Sequence, residues 1–258
     1  MRNLARYVNS ICHIFGLHIS RHKAISKALP EFVDQTFVSI YEKHKDKTMV
    51  PWTGCHATYA AAKYVAACGI DGDVVECGVW RGGSSIIIAE TLNAYGVNDK
   101  NIFMYDTYEG MSEPTDLDYP VARKDLRAAD LLRTSDKTAC IWAISSMEDV
   151  ENNILSASYP ADNFKLIKGK VESTIPGEIP TKISLLRLDT DWYESTIHAL
   201  EHLFPRLVVG GVLICDDYGH WAGVRKAVDQ YLKQHKVRML LHTDAQYGAV
   251  IGIKQPQA

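Results

Sequence analysis

Residues 74–85 read VVECGVWRGGSS. A short apolar strand runs into three glycines, Gly78, Gly82 and Gly83, and a helical segment, SSIIIAETLNAYG, follows at 84–96. Glycines there let the backbone turn sharply and let a ligand approach closely. A helix that starts near Ser84 aims free N–H groups and the positive end of its dipole at that ligand. The spacing is not G-x-G-x-x-G, and no G-K-[ST] follows to make a P-loop. Glu76 lies inside the strand end. A buried acid needs a partner, and a cationic ligand would supply one. A glycine turn chosen only for packing would read the same way if it stood alone.

Working outward, apolar runs alternate with helical segments. The runs are DVVECGV (73–79), NIFMYDTY (101–108), NFKLIKGKV (163–171), ISLLRLDTD (183–191) and VGGVLICDD (209–217). Between them lie SMEDVENNILSAS, ESTIHALEHLF and GVRKAVDQYLKQ. This alternation predicts an α/β fold, a doubly wound, mostly parallel, Rossmann-like sheet covered on both faces. VRMLLHTDAQYGAVIGIK (237–254) reads as two runs joined by a turn, a closing antiparallel hairpin. Residues 1–70 read as a helical N-terminal extension, with helical spacing at Phe37, Ile40 and Tyr41 and a helix stop at Gly69. Residues 111–139 break the rhythm and read either as a lid or substrate loop or as a variable surface excursion.

The composition agrees with a folded, water-facing chain. It has 258 residues, 47% of them hydrophobic and 23% charged, and a net charge of −3. That balance excludes a general nucleic-acid binder, which carries a basic footprint. No stretch is long enough to span a bilayer. The start is basic and acid-free up to Glu31, a pattern that suits either a solvated helix face or contact with an anionic surface. Six cysteines show no C-x-x-C pair, which favours free, buried thiols and a reducing, cytoplasmic setting.

Acids cluster at the predicted strand ends. Asp106 ends the second run, where an acid either binds ribose hydroxyls or forms a turn. Asp189 and Asp191 end the fourth run, and residues at i and i+2 of a strand share a face. Asp216 and Asp217 end the fifth. Four carboxylates crowded at neighbouring strand ends raise one another's pKa values, which a hard divalent cation would relieve. Caps on the following helices are the alternative, but capping needs one acid per helix. His198 and His202 lie four apart without H-E-x-x-H, so zinc is not indicated. His220 and Trp221 follow the acid pair and could line the same site.

VVECGVWRGGSS, YDTYEGMSEP, LLRLDTDWYEST and LICDDYGHW, in that order, resemble the macrocin and mycinamicin O-methyltransferase family. The likeness runs from about Phe32 to Lys254. It implies a class I S-adenosylmethionine fold over residues 71–258, a divalent metal, and methyl transfer to a hydroxyl of a sugar, a glycosylated natural product or a polysaccharide precursor. Carried over by position, Glu76, Gly78, Ser84 and Ser85 hold the methionine end of the cofactor. Asp106 binds its ribose, and Val171 borders the adenine. Asp189, Asp216 and Asp217 ligate Mg²⁺, or Mn²⁺, and Asp191 is the general base. The resemblance also implies a homo-oligomer. Pro51, Trp52 and Gly54 depart from the family's pattern in its cofactor-capping helix. Rival readings are a catechol-type small-molecule methyltransferase, an NAD-dependent oxidoreductase and a non-catalytic scaffold.

Overall fold

A computed structural model describes residues 29–244 and 247–256. The basic N-terminal stretch and Cys12 lie outside the described residues. Two helices come first, α1 (Gln35–His44) and α2 (Trp52–Ala67). Strands and helices then alternate as β1 (Asp73–Cys77), α3 (Gly83–Ala94) and β2 (Ile102–Asp106), followed by α4 (Ala128–Thr134) and α5 (Met147–Ile154). Next come β3 (Phe164–Lys168), α6 (Val171–Thr174), β4 (Ile183–Leu188), α7 (Tyr193–Leu203) and β5 (Leu207–Cys215). The chain closes with α8 (Ala222–Gln234), β6 (Leu241–Thr243) and β7 (Val250–Ile253).

The seven strands form one sheet in the order β3-β2-β1-β4-β5-β7-β6. β1 to β5 pair in parallel, and β7 joins β5 and β6 antiparallel. The doubly wound sheet and its closing hairpin are therefore as the sequence predicts. Strand order reverses between β1 and β4, and such a switch point opens a crevice beyond the carboxyl ends of those strands.

The strands that flank the crevice are buried on both faces. β4 is buried at all six positions, although one of them is Arg187. Helix α3 is buried from Gly83 to Leu92, and it is apolar nearly all round, as a helix enclosed by its neighbours must be. One cover is α2, whose Ala61, Ala62 and Val65 pack with Val74 of β1 and Ile86 of α3. Gly69, at φ +60°, ends α2, and the Ile70 amide closes back on the Val65 carbonyl at 3.0 Å. The helical region at 29–70 is thus built onto the sheet. Helix α1 adds Phe37 and Ile40 to a smaller cluster with Tyr59 and Ile87. Among the described cysteines, Cys55, Cys77 and Cys215 are buried as expected, whereas Cys68 and Cys140 are exposed.

The α1–α3 contact contains a buried histidine. His44 Nε2 lies 3.0 Å from Glu90 Oε1, which also accepts Lys43 Nζ at 2.6 Å. Burial holds the imidazole below its ordinary value, although Glu90 pulls the other way. Glu90 is held below the usual carboxylate value: burial pushes it up, but Lys43, His44 and the Ser158 amide outweigh that. Below the ordinary imidazole value of about 6.5 the unfolded chain takes up the histidine proton first, so stability falls as pH falls. Glu90 adds a loss of the same sign at lower pH, because its contribution disappears as pH falls through its folded value. Acidification from pH 7 to about 5 is expected to loosen α1 before the sheet. Amide exchange, corrected for intrinsic rates, would read this as protection lost first in α1. Protection in α1 that stays level with β1 and β4 would contradict it.

Candidate active site

The glycine turn is closely packed at two of its three glycines. Gly78 has φ +83°, and a Cβ there would lie 1.9 Å from the Asp189 carbonyl oxygen. The carboxyl ends of β1 and β4 can approach this closely only with glycine at that point. A Cβ on Gly83 would lie 2.4 Å from the Lys47 carbonyl oxygen. The close approaches found at Gly78 and Gly83 are therefore to backbone of the same chain.

Asp106 braces the same turn. Its Oδ2 accepts the amides of Val79 and Trp80 at 2.6 and 3.1 Å, and its Oδ1 accepts the Tyr108 amide at 2.8 Å. Trp80 stands at φ +48°, a conformation that costs a bulky residue about 1–3 kcal/mol. The two bonds from residues 79 and 80 offset that cost. These three bonds carry out the turn-forming role that the sequence offers for Asp106. Gly82 precedes α3 in the left-handed conformation and no side chain caps this helix, so its first-turn amides have no side-chain acceptor at the cap. Ser84 and Ser85 are buried in that turn. The Ser85 hydroxyl donates to Glu76. Val171 starts α6 and is buried beside the sheet.

Glu76 has a partner that the sequence reading did not single out. Arg187, wholly buried in β4, donates from Nη1 to Glu76 Oε1 at 2.8 Å and to Asp189 Oδ2 at 2.8 Å. Its Nη2 donates to Asp216 Oδ1 at 2.5 Å. Glu76 therefore has its counter-charge from the neighbouring strand and does not need a cationic ligand to supply one. Burial alone would lower the Arg187 pKa, but Asp189, Asp216 and Glu76 hold it well above its ordinary value. The signal in the sequence was a lone arginine inside an otherwise apolar run, LLRLD.

The four acids divide unevenly. Asp189, Asp191 and Asp217 each bring one carboxylate oxygen within 4.8 Å of the others. Asp216 is engaged on both oxygens, by Arg187 and by the Tyr247 hydroxyl. The resemblance places Asp216 with Asp189 and Asp217, whereas the geometry places Asp191 there. Strand alternation is not what brings Asp191 in: β4 ends at Leu188, and Asp191 takes φ +59° in the loop beyond. Burial, with Asp217 close by, pushes Asp191 well above the carboxylate range. Asp189 rises for the same reasons, against the pull of Arg187. Asp217 is depressed in spite of burial, because His220 and Asp191 hydrogen-bond to it. His220 Nδ1 lies 3.2 Å from Asp217 Oδ1, which raises the imidazole. His198 instead faces the Ile175 carbonyl at 3.0 Å, away from the acids.

Capping does not explain these acids. Helix α7 is preceded by Trp192, whose side chain makes no cap bond, and the Tyr193 amide donates to Asp118 Oδ1 at 2.8 Å. Asp118 comes from the 111–139 segment, is wholly buried, and also accepts the Thr115 amide at 2.7 Å. The segment is tied down again where Trp192 Nε1 meets the Ser112 carbonyl at 3.0 Å and where the Val121 amide meets the His220 carbonyl at 2.8 Å. Sequence reading missed Asp118, because its partner is 75 residues away.

Three half-buried to buried carboxylates that share 4.8 Å and repel one another fit a hard divalent cation with oxygen ligands. The uncapped amides of α3 beside the glycine turn fit the carboxylate of an amino-acid moiety.

Comparison with known proteins identifies the family of the chain. The profile of the macrocin-O-methyltransferase (TylF) family matches residues 43–249. A tetracenomycin-C 4'-O-methyltransferase of Streptomyces olivaceus, which acts on the 2,3-dimethoxy-rhamnosyl form, is 37% identical over 167 residues, 65% of this chain and 60% of that protein. A mycinamicin III 3''-O-methyltransferase of Micromonospora griseorubida is 31% identical over 169 residues, 66% of this chain and 63% of that protein. The chain thus matches about three fifths of the length of these relatives. The solved O-methyltransferase NovP superposes with a TM-score of 0.70 at 25% identity, over 81% of this chain and 83% of its own. With the sheet order, the four motifs and the profile in agreement over most of its length, the chain belongs to the TylF macrocin-O-methyltransferase family.

Proposed function

We propose that the chain transfers a methyl group from S-adenosylmethionine to a hydroxyl of a sugar or glycosylated small molecule, with a divalent cation, Mg²⁺ or Mn²⁺, at the acids. The observation that carries this reading is the Asp189, Asp191 and Asp217 cluster at the switch-point crevice, beside the uncapped start of α3. Asp189 and Asp217 hold the cation in this reading, and Asp191 takes the hydroxyl proton. A cation held there lowers the acidity barrier of a sugar hydroxyl. Asp191 suits the role of base because it sits in the cluster without being assigned to the cation, whose charge would keep it ionised and ready to take a proton. Asp216 anchors Arg187 and Tyr247 behind the cluster and keeps Asp189 in place through the guanidinium. The donor's methionine end lies at Ser84 and Ser85, its ribose near Asp106 and its adenine near Val171. The 111–139 segment borders the acceptor. Attack along the methyl–sulfur axis needs the reacting atoms about 3–3.5 Å apart, so positioning by these elements supplies much of the rate. The reading includes homo-oligomers working in the cytoplasm. Among the described residues no helix is long and apolar enough to cross a membrane.

Titration calorimetry on metal-stripped protein tests the class of reaction. S-adenosylmethionine is expected to bind at micromolar levels, NADH is not, and Mg²⁺ is expected to give a separate heat. Binding of NADH in place of the methyl donor would move the protein to the oxidoreductases.

A further inference from the structure

Helix α8 turns one stripe outward toward the loop at 119–124, and the two enclose a groove of about 580 Å³. Its charged lining is Lys124, Arg225, Lys226 and Lys233, against a single acid, Asp229. That acid is already engaged, since its Oδ1 accepts the Tyr218 hydroxyl at 2.8 Å. Among the described residues none of the four cations has a carboxylate within ion-pair distance. Arg225 Nε is held by the Tyr218 carbonyl at 3.2 Å, and Lys226 Nζ lies 5.3 Å from the centre of the Tyr193 ring. In a chain of net charge −3, four unpaired cations around one concavity form a local field of opposite sign.

The groove shares its framework with the acid cluster. The Ala222 amide donates to the Tyr119 carbonyl at 2.9 Å, and the Val121 amide donates to the carbonyl of His220, the residue that hydrogen-bonds Asp217. The loop that walls the groove is therefore tied to the end of β5 that carries Asp217.

We propose that this groove binds a phosphate or diphosphate group carried by the acceptor, a substrate class narrower than the sugar hydroxyl alone; this rests on the methyltransferase reading for the word acceptor, but not for the anion site. The two patches orient a bifunctional molecule. The carboxylates repel the phosphate from the crevice and attract the hydroxyl side through a cation, while Lys124, Arg225 and Lys226 hold the anionic end. The same chemistry is offered by a sugar nucleotide and by a free phosphate ester.

The test uses the full chain and two probes, inorganic pyrophosphate and uridine diphosphate, titrated at low and moderate salt. Lys124→Gln/Lys226→Gln removes two exposed cations that pair with no acid and is expected to fold normally. The wild type should bind both probes, more weakly as salt rises, and the double variant should bind at least about tenfold more weakly. Tighter binding of uridine diphosphate would assign the groove to a sugar nucleotide, and equal binding to a simple phosphate ester. Absence of pyrophosphate binding, or equal affinity in the double variant, overturns the proposal. So does a chain that binds anionic vesicles but neither probe. S-adenosylmethionine titrated into the same samples separates the two readings. Loss of pyrophosphate binding in the variant, with no donor binding in either protein, would keep the anion site and remove the methyltransferase assignment.

Discussion

Asp217→Asn is expected to lower kcat by about 10³-fold while S-adenosylmethionine binds with nearly unchanged affinity. The asparagine keeps the size of the side chain and one oxygen but removes the negative charge that a divalent cation needs. It also removes the charge that raises His220, so that imidazole returns toward its ordinary value. The donor's proposed contacts lie on the β1–α3 turn and at the ends of β2 and β3, not on β5, which is why its affinity separates from turnover. Asp191→Asn has a different signature. It should keep the Mg²⁺ heat in calorimetry and lose about 10²–10⁴ in kcat, the range of a general base. A variant at 217 that kept both Mg²⁺ binding and turnover would remove the cation from the mechanism. A variant at 191 that kept most of its kcat would pass the proton to another group. The uneven division of the four acids makes this pair of variants informative, because Asp191 sits in the cluster and Asp216 does not.

Arg187→Met is expected to cost about 3–5 kcal/mol of stability, the penalty for leaving buried acids without their counter-charge. Glu76 and Asp216 are both buried, and the guanidinium reaches both as well as Asp189. For a chain of this size that corresponds to a fall in Tm of about 6–20 °C, read by calorimetry or circular dichroism. Adding Glu76→Gln removes one of the stranded charges and should recover part of the loss, which a simple packing defect would not show. A single variant that melts within about 2 °C of the wild type would mean that the cluster contributes little to stability.

The sheet was legible because β1 to β5 are apolar-rich runs of five to nine residues separated by helical patterns, and both signals are local. The hairpin was legible as a hairpin but not in its length. VRMLLHT offers seven residues that could extend, and only Leu241–Thr243 pair, because the partner strand β7 is four residues long. The strand-end acids were legible as a group, since clustered carboxylates at apolar run ends have few other uses. Their division was not, because it depends on Arg187 and on Tyr247, which reaches Asp216 from a loop 31 residues away. Glu76 shows the same limit. Sequence gives a buried acid, but only the register of β1 against β4, which sets Glu76 opposite Arg187, says who neutralises it. Sequence offers Asp106 two roles, and its bonds to the glycine turn depend on a left-handed tryptophan that no pattern announces.

Asp118 ties the variable-looking segment to the rigid frame, with a consequence for remodelling this fold. Its carboxylate terminates α7 and occupies the space that Gly223 leaves open, where a Cβ would lie 1.9 Å from Oδ1. Grafting the whole of 111–139 from a relative would therefore unseat the start of one helix and leave a hole against another. Exchange confined to 122–127, before Ala128 and Leu132 enter the core, keeps the anchor and alters only the outer wall. Libraries drawn on that boundary would vary the exposed part of the segment without loosening the scaffold that carries it.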